Sequence, residues 1–267
     1  MVEQINSGWC SASNTLGRWF LKMKISIMQR ATLPGFYLHF VLRKRCIESC
    51  VRSAIQNSTD QLIIIGAGFD TLGMSIANDF PTVSVLEIDH PATLSRKQSA
   101  ITAMNLQSTN LQLLPANLTH HSLQETLLGS TQYDKTRSSI FIAEGLTMYL
   151  SEQEVRDIFH CISSISTQES QLIFTYMEED RHGKYNLKNT THIATLWLRL
   201  VKEEFKWGLK RDDLTTFLKE SDLNLEKHYT HHELRSEFLS KPNMATALSI
   251  GENVAVAKLK KREMLND

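Results

Sequence analysis

Short apolar segments alternate along the chain with segments that have the spacing of helices. Leu62 to Ile65 are four consecutive apolar residues, and a glycine-containing turn separates them from Leu72, Ile76 and Phe80, each one helical turn apart. Short β-branched segments bounded by turns are typical of buried strands, whereas the wider spacing is typical of helices. Strands are predicted at 62–65, 83–88, 111–116, 139–143 and 170–176, and helices at 36–57, 72–80, 91–105, 122–129 and 152–165. This alternation predicts an α/β fold with a parallel sheet.

The C-terminal third has a different pattern. Residues 177–191 are polar and predict a long loop, and an amphipathic helix is predicted at 192–205. Asp212 is a candidate N-cap for a further helix. Residues 223–229 and 254–259 alternate like strands, which predicts an antiparallel hairpin with a long connection that closes the fold.

The turn after the first strand and the end of the second strand carry candidate ligand-binding residues. Gly66 and Gly68 allow the backbone to approach a ligand closely. Glu87 and Asp89 lie at the tip of the second strand, where a carboxylate can accept hydrogen bonds from ribose hydroxyls. These residues predict a site for a nucleoside-containing cofactor; the alternative is a glycine turn without a ligand.

The residues of the turn distinguish between cofactors. Thr71 stands where a dinucleotide fingerprint has its third glycine, and Asp70 precedes it. An acidic side chain repels a pyrophosphate and suits a cation, and S-adenosylmethionine has a ribose, a sulfonium and an ammonium but no phosphate. The pattern therefore favours S-adenosylmethionine over NAD. The alternative role for Asp70 is to cap the helix that begins near Leu72.

Polar residues also follow the third and fourth strands. Asn117, followed by Leu118, lies where an amide carbonyl could accept from an adenine amine, although asparagine is also common in simple turns. Glu144 follows the fourth strand. The helix before the first strand carries a short basic segment, Arg43 to Arg45, where an arginine could hold a cofactor carboxylate in a bidentate pair; the alternative for each of the three residues is a solvated basic face.

Composition narrows the class of protein. Lys plus Arg and Asp plus Glu are 29 each among 267 residues, so the balanced charge favours no nucleic-acid partner. No apolar segment reaches the about 18 residues that a membrane span needs. Cys46 and Cys50 lie one helical turn apart without a nearby His or Cys, which favours buried thiols over a metal site. A reducing, cytoplasmic location is expected.

The domain organisation follows from the same patterns. Residues 1–35 are predicted as an N-terminal arm with a helix, which either covers the site as a lid or packs as an ordinary helix. Residues 36–267 are predicted as the main domain, with a substrate-side insertion around 177–210.

Three motifs together resemble the leucine carboxyl methyltransferase family of class I S-adenosylmethionine-dependent methyltransferases, in its bacterial O-methyltransferase branch. They are GAGFDT at 66–71, EID at 87–89 and EGLTMYL at 144–150. The resemblance runs from about Phe36 to the C-terminus. It implies a Rossmann-like, seven-stranded, mostly parallel sheet with the last strand antiparallel and helices on both faces.

The resemblance also implies the cofactor contacts. With Asp70 added from the charge argument, the predicted contacts are Arg43, Gly66, Gly68, Asp70, Glu87, Asp89, Asn117, Leu118 and Glu144. The family has an aspartate where this chain has Asn117, so an acceptor is kept and a charge is lost. Glu144 would serve the methionine end of the cofactor. Arg43 is the best match for the family's carboxylate-binding arginine, with Arg45 and Arg30 as alternatives.

The implied reaction is methyl transfer from S-adenosylmethionine to the oxygen of a carboxylate or a hydroxyl, on a small molecule or a peptide C-terminus. A carboxylate is ionised at neutral pH and needs no base, whereas a hydroxyl needs one. Glu144, His182 and Tyr149 are unranked candidates for that base, and no catalytic residue is assigned. The alternatives are a nicotinamide-dependent oxidoreductase and a non-catalytic nucleoside-binding module on the same fold.

Overall fold

The structure is a computed structural model that describes residues 35–118, 122–185, 187, 205–240 and 246–260. Its strands are β1 Gln61–Ile65, β2 Ser84–Asp89, β3 Leu111–Pro115, β4 Ser139–Ala143, β5 Gln171–Glu178, β6 Gly208–Leu209, β7 Leu223–Tyr229 and β8 Glu252–Leu259. Its α-helices are α1 Phe36–Gln56, α2 Leu72–Asp79, α3 Pro91–Ala103, α4 Leu123–Leu128, α5 Glu152–Ile165, α6 Leu214–Glu220 and α7 His231–Phe238. Two 3-10 turns lie at Thr147–Tyr149 and Arg211–Asp213.

The strands form one sheet in the order β3-β2-β1-β4-β5-β8-β7. Strands β1 to β5 pair in parallel, and β8 is antiparallel to both of its neighbours, β5 and β7. This confirms the α/β fold with a mostly parallel sheet and an antiparallel last strand. The two-residue strand β6, which pairs in parallel with β5, is an addition to the seven strands predicted.

Helices cover both faces of the sheet because successive strand residues point to opposite sides. On β1, Ile63 and Ile65 belong to one apolar cluster, which packs against α4, α5 and α6. Leu62 and Ile64 belong to the cluster on the other face, which packs against α1, α2 and α7. The parallel strands are buried from both sides, and this is why they read as continuous apolar segments in the sequence.

Capping residues fix the starts of two helices. The Ser151 hydroxyl accepts from the Glu154 N–H, and the Glu154 carboxylate accepts from the Ser151 N–H at 2.7 Å, so α5 begins with a capping box. Thr230 and Glu233 form a second capping box at the start of α7. The sequence pattern predicted only a long connection here, so the helix α7 was not predicted.

Two predictions in the C-terminal third need correction. Asp212 is not an N-cap, because it lies in a 3-10 turn and α6 begins only at Leu214. The polar segment that was predicted to begin a loop at residue 177 continues β5 as far as Glu178, and Glu179 then bridges to Tyr185.

Some predictions fall on residues outside the described part of the chain. They are the N-terminal arm at 1–34, most of the insertion around 177–210, and the helix at 192–205 except its last residue. Within the described ranges, no helix has both the length and the apolar character that crossing a membrane requires.

Candidate functional site

Two cavities open at the carboxyl ends of β1, β2 and β4, and Gly66 lines both of them. The first, of about 680 Å³, brings together Arg43, Gly66, Asp70 and Glu144. The second, of about 550 Å³, brings together Gly66, Asp89, Asn117 and Leu118. Ligands bind at this edge of an open α/β sheet because the strand ends leave a crevice between their loops.

The turn after β1 depends on its glycines. Gly66 and Gly68 have φ angles of 71° and 50°, in the left-handed region that other residues adopt only with strain. A Cβ on Gly66 would lie 3.2 Å from Cδ1 of Leu146. The N–H groups of Gly66 and Ala67 donate to the carbonyl of Ile88 at 2.8 and 3.1 Å. The turn is thereby fixed against the end of β2.

Asp89 is held in place by backbone donors. One carboxylate oxygen accepts from the Gly68 N–H at 2.7 Å, and the other accepts from the His90 N–H at 2.6 Å. An ionised carboxylate has about four acceptor positions, so two remain for a ligand. Because Asp89 lines the second cavity, this arrangement suits the two hydroxyls of a ribose.

The second cavity combines apolar walls with one amide. Leu118, Leu146, Leu150 and Ile158 contribute apolar side chains, and Asn117 lies among them at the end of β3. Such a lining suits a flat heterocyclic base, which needs apolar contact on its faces and a polar partner at its edge. Leu146 and Leu150 belong to the EGLTMYL motif, in which only Glu144 and Tyr149 were predicted as site residues.

A network of ion pairs lines the first cavity. Arg43 donates from Nε to Glu144 at 2.8 Å and from Nη1 to Glu252 at 2.6 Å. Lys44 donates from Nζ to Asp70 at 2.6 Å and to Glu144 at 2.8 Å. The charged side chains that line the cavity itself are two cations, Arg43 and Lys44, and three carboxylates, Glu48, Asp70 and Glu144, which leaves one excess negative charge. This excess favours a ligand with a cationic group.

Glu252 anchors Arg43 from below the cavity. Burial alone raises the pKa of Glu252, but the Arg43 charge and the hydrogen bond from His39 outweigh it and lower that pKa to about 2. Burial alone lowers the pKa of Arg43, but its neighbours Glu252 and Glu144 more than offset this effect, so the pKa is raised. Both groups are therefore ionised. Arg43 lines the cavity with its Nε and Nη1 atoms already bound to protein carboxylates, so its predicted role toward a cofactor carboxylate stays a prediction.

Glu87 does not lie at the site, which corrects the sequence analysis. Its side chain is fully buried and pairs with the buried Lys97 of α3. Burial raises the pKa of Glu87, although Lys97 opposes this effect. A Cβ on Gly73 would lie 2.2 Å from Oε1 of Glu87, so α2 covers this carboxylate directly. Only Asp89, two residues further on, lies beyond the helix and reaches the cleft.

The other predicted candidates lie away from the two cavities or outside the described residues. Arg45 is exposed on α1, and Arg30 falls outside the described ranges. His182 is exposed in a turn where its N–H donates to Asp180. Tyr149 lies 5.8 Å from Phe205, measured between ring centroids. Neither His182 nor Tyr149 lines either cavity.

Thr175 of β5 holds the turn that carries Glu144. Its hydroxyl accepts from the Gly145 N–H at 2.8 Å, and its carbonyl accepts from the Thr147 hydroxyl at 2.5 Å. Gly145 has a φ of 63°, which favours glycine at this position. The turn thereby places Glu144 in the first cavity and Leu146 in the second.

Three residues of the ion-pair network were not predicted from the sequence as site residues. Lys44 was seen only as part of a short basic segment, and His39 and Glu252 were not considered. His39 and Glu252 are 213 positions apart along the chain, so no local pattern links them. The available signal was the α1 periodicity, which places His39 and Arg43 on one face of the helix. Among the described residues, no group of His, Cys, Asp and Glu is arranged to hold a metal ion.

The fold and the site define a class of protein. A parallel sheet closed by antiparallel strands, with a nucleoside-sized cleft at its carboxyl edge, is the architecture of class I S-adenosylmethionine-dependent methyltransferases. The leucine carboxyl methyltransferase family model matches residues 10–163, more than half of this chain, and the chain belongs to that family. The predicted family and fold are thereby confirmed.

Relatives by sequence carry names from the same class. A protein of Bacillus subtilis (strain 168), named provisionally as an S-adenosyl-L-methionine-dependent methyltransferase, is 23% identical over 201 residues, 74% of this chain and 66% of that protein. One of Mycobacterium avium (strain 104) with the same provisional name is 24% identical over 160 residues, 60% of this chain and 52% of that protein. The matches thus span about half to two thirds of these relatives.

Solved structures share the fold. A provisionally named methyltransferase of Thermobifida fusca YX has a TM-score of 0.63 and 15% identity, over 88% of this chain and 86% of that one. An O-methyltransferase family protein of Burkholderia thailandensis has a TM-score of 0.53 and 11% identity, over 94% of this chain and 62% of that one. At these identities the likeness concerns the fold alone.

Proposed function

We propose that this chain is an S-adenosylmethionine-dependent O-methyltransferase whose acceptor is a carboxylate. The observation that carries the proposal is the pairing of the two cavities at Gly66, one with excess negative charge and the other with Asp89 and apolar walls. S-adenosylmethionine has a nucleoside at one end and two cationic centres at the other, which matches this arrangement. A dinucleotide would instead bring a pyrophosphate near Asp70 and Glu144, where like charges repel.

Different residues would contact different parts of the cofactor. Asp89, oriented by the Gly68 and His90 N–H groups, would accept from the ribose hydroxyls. Leu146 and Leu150 would enclose the base, with Asn117 at its edge. The carboxylates of the first cavity would hold the cationic end, as the charge excess there supports. The two cavities thus offer acceptors for the ribose and the cationic groups and apolar contact for the base, which supports the proposed cofactor.

The bound cofactor supplies a methyl group already activated by its sulfonium. The protein therefore has to orient an acceptor oxygen and exclude water. Glu144 is a poor base in this structure, because its oxygens accept from Arg43 and Lys44. His182 and Tyr149 line neither cavity. Within the described part of the chain, none of these three candidate bases is placed to take a proton from an acceptor, which supports a carboxylate acceptor, on a small molecule or a peptide C-terminus, because it needs no base.

Two measurements test this proposal. Calorimetric titration with S-adenosylhomocysteine should show one site on the folded protein. Incubation with methyl-labelled cofactor and a panel of carboxylic acids, peptides and phenols should give a labelled product that releases methanol in alkali, because methyl esters hydrolyse and methyl ethers do not.

Four results would count against the proposal. Absence of binding would remove the cofactor assignment, and an alkali-stable product would move the acceptor to a hydroxyl. Tight binding of S-adenosylhomocysteine without turnover of any acceptor in the panel would instead support the alternative of a non-catalytic nucleoside-binding module. Tight binding of NADH instead would restore the oxidoreductase alternative.

A further inference from the structure

One cation of the protein itself lies inside the first cavity. The Lys44 Nζ is 2.6 Å from Asp70 Oδ2 and 2.8 Å from Glu144 Oε2. Its side chain is 29% exposed, and Nζ also lies 5.5 Å from the centroid of the Phe40 ring. Lys44 thus occupies the space between two carboxylates that line the first cavity together with Gly66.

Lys44 and a bound cofactor would compete for the same two carboxylates. On the proposed function, which this inference requires, Asp70 and Glu144 face the ammonium and sulfonium of the cofactor's amino-acid end. Two ammonium groups a few ångströms apart repel each other, and the repulsion is stronger in a partly buried cavity than in water. The Lys44 ammonium and the cation of the ligand therefore cannot both keep full contact with Asp70 and Glu144.

We propose that Lys44 is a tethered counter-ion that determines how tightly the site holds cationic ligands. In the free protein its ammonium pairs with both Asp70 and Glu144. When the cofactor binds, the ammonium leaves for solvent along its flexible stem, and the ligand's cation takes its place. The cost of breaking the Lys44 contacts lowers the affinity for the cofactor and for the product S-adenosylhomocysteine.

The neighbouring arginine shows why Lys44 is the group that moves. The Arg43 side chain is 10% exposed and is fixed by Glu252 beneath it. Lys44 is three times as exposed, its partners both lie in the cavity, and its four-carbon stem has many accessible rotamers. Moving Arg43 would also leave the buried Glu252 without its main partner, which is far more costly.

The test compares two ligands that differ only in the amino-acid end. S-adenosylhomocysteine has the ammonium and the carboxylate, whereas methylthioadenosine has neither. Calorimetry on Lys44→Met should show S-adenosylhomocysteine binding about tenfold tighter than to the wild type, which corresponds to about 1.4 kcal/mol. Methylthioadenosine should bind both proteins equally. The gain should shrink at about 0.5 M salt, because screening weakens the pairing.

Two matched variants control for general charge effects. Lys44→Arg keeps a cation in the cavity and should keep the wild-type affinity. Arg45→Met removes one positive charge from the next residue, which is exposed and lines neither cavity, and should change nothing. Circular dichroism would confirm that each variant is folded.

The outcomes separate this inference from the proposed function. Weaker binding of S-adenosylhomocysteine to Lys44→Met would show that Lys44 contacts the ligand carboxylate and would overturn the counter-ion role. Equal binding would overturn it as well. If the wild type binds neither nucleoside, the proposed function itself fails, independently of Lys44.

Discussion

Replacing Asp89 by alanine is the most direct test of the nucleoside site. The wild-type carboxylate is held by the Gly68 N–H at 2.7 Å and the His90 N–H at 2.6 Å, so its two remaining acceptor positions are oriented before any ligand arrives. A hydrogen bond to a charged group contributes about 1.5–3 kcal/mol. On the proposed function, Asp89→Ala removes such a bond from both ribose hydroxyls.

We expect the affinity for S-adenosylhomocysteine to fall at least about 100-fold, which corresponds to about 2.7 kcal/mol. This is below the sum of two full contributions, because water can occupy the vacated space and satisfy the hydroxyls. The stability should fall less, by about 1 kcal/mol or 2–4 °C in Tm, since the two released N–H groups lie at the edge of the cleft.

The assay is calorimetric titration alongside thermal unfolding. Asp79→Ala is the matched control, because Asp79 is an exposed carboxylate at the end of α2 that pairs with Arg52 and lines neither cavity. The control should bind like the wild type. If Asp89→Ala binds S-adenosylhomocysteine within about threefold of the wild type, a difference below 1 kcal/mol, the placement of the ribose at Asp89 is refuted.

The remaining predictions concern the supports of the site. Gly73→Ala places a Cβ 2.2 Å from Glu87 Oε1, so overpacking should cost about 1–3 kcal/mol in urea unfolding; an unchanged midpoint would contradict this contact. Glu252 has its pKa lowered from 4.5 to about 2. The ionised Glu252 carboxylate therefore stabilises the folded state by about 3 kcal/mol; this contribution is complete above pH ~4.5 and is lost as the pH falls through ~2. Glu252→Gln should therefore be less stable at neutral pH, and the difference should narrow on acidification; a constant difference would argue against the pairing. Thr175→Val removes the acceptor of the Gly145 N–H, so titration should show weaker cofactor binding, and wild-type affinity would show that this bond does not position the turn.

The ion-pair network links elements that lie far apart in the sequence and meet at the first cavity. Glu252, at the start of β8, holds Arg43 of α1, and Arg43 contacts Glu144 at the end of β4. Lys44 continues the chain of contacts to Asp70 in the glycine turn. A change at Glu252 should therefore reach the cofactor cleft although Glu252 does not line it, because Arg43 would lose the anchor that fixes its position.

Local patterns in the sequence were sufficient for the elements and for part of the site. The predicted β4 and α5 have the observed bounds, and the other parallel strands differ by one or two residues at an end. Asp89 and Glu144 were placed at the same edge because parallel strands end on one side of a sheet. Gly66 and Gly68 were predicted to let the backbone approach a ligand closely, and the structure adds that both have positive φ.

The sequence by itself thus determined the parallel strands and the helices between them, the family and the edge of the sheet where the cleft lies, because these depend on periodicity and on motifs within a few residues. Only the tertiary structure decided which polar side chains reach that cleft. Glu87 and Asp89 look equivalent along the chain, but α2 packs over Glu87 at Gly73 and leaves Asp89 open. The pairing of Arg43 with Glu252, 209 positions away, depends on β8 lying between β5 and β7. The periodicity of the sequence shows which face of a helix or strand is apolar, whereas the packing of the whole chain decides which other elements lie against that face.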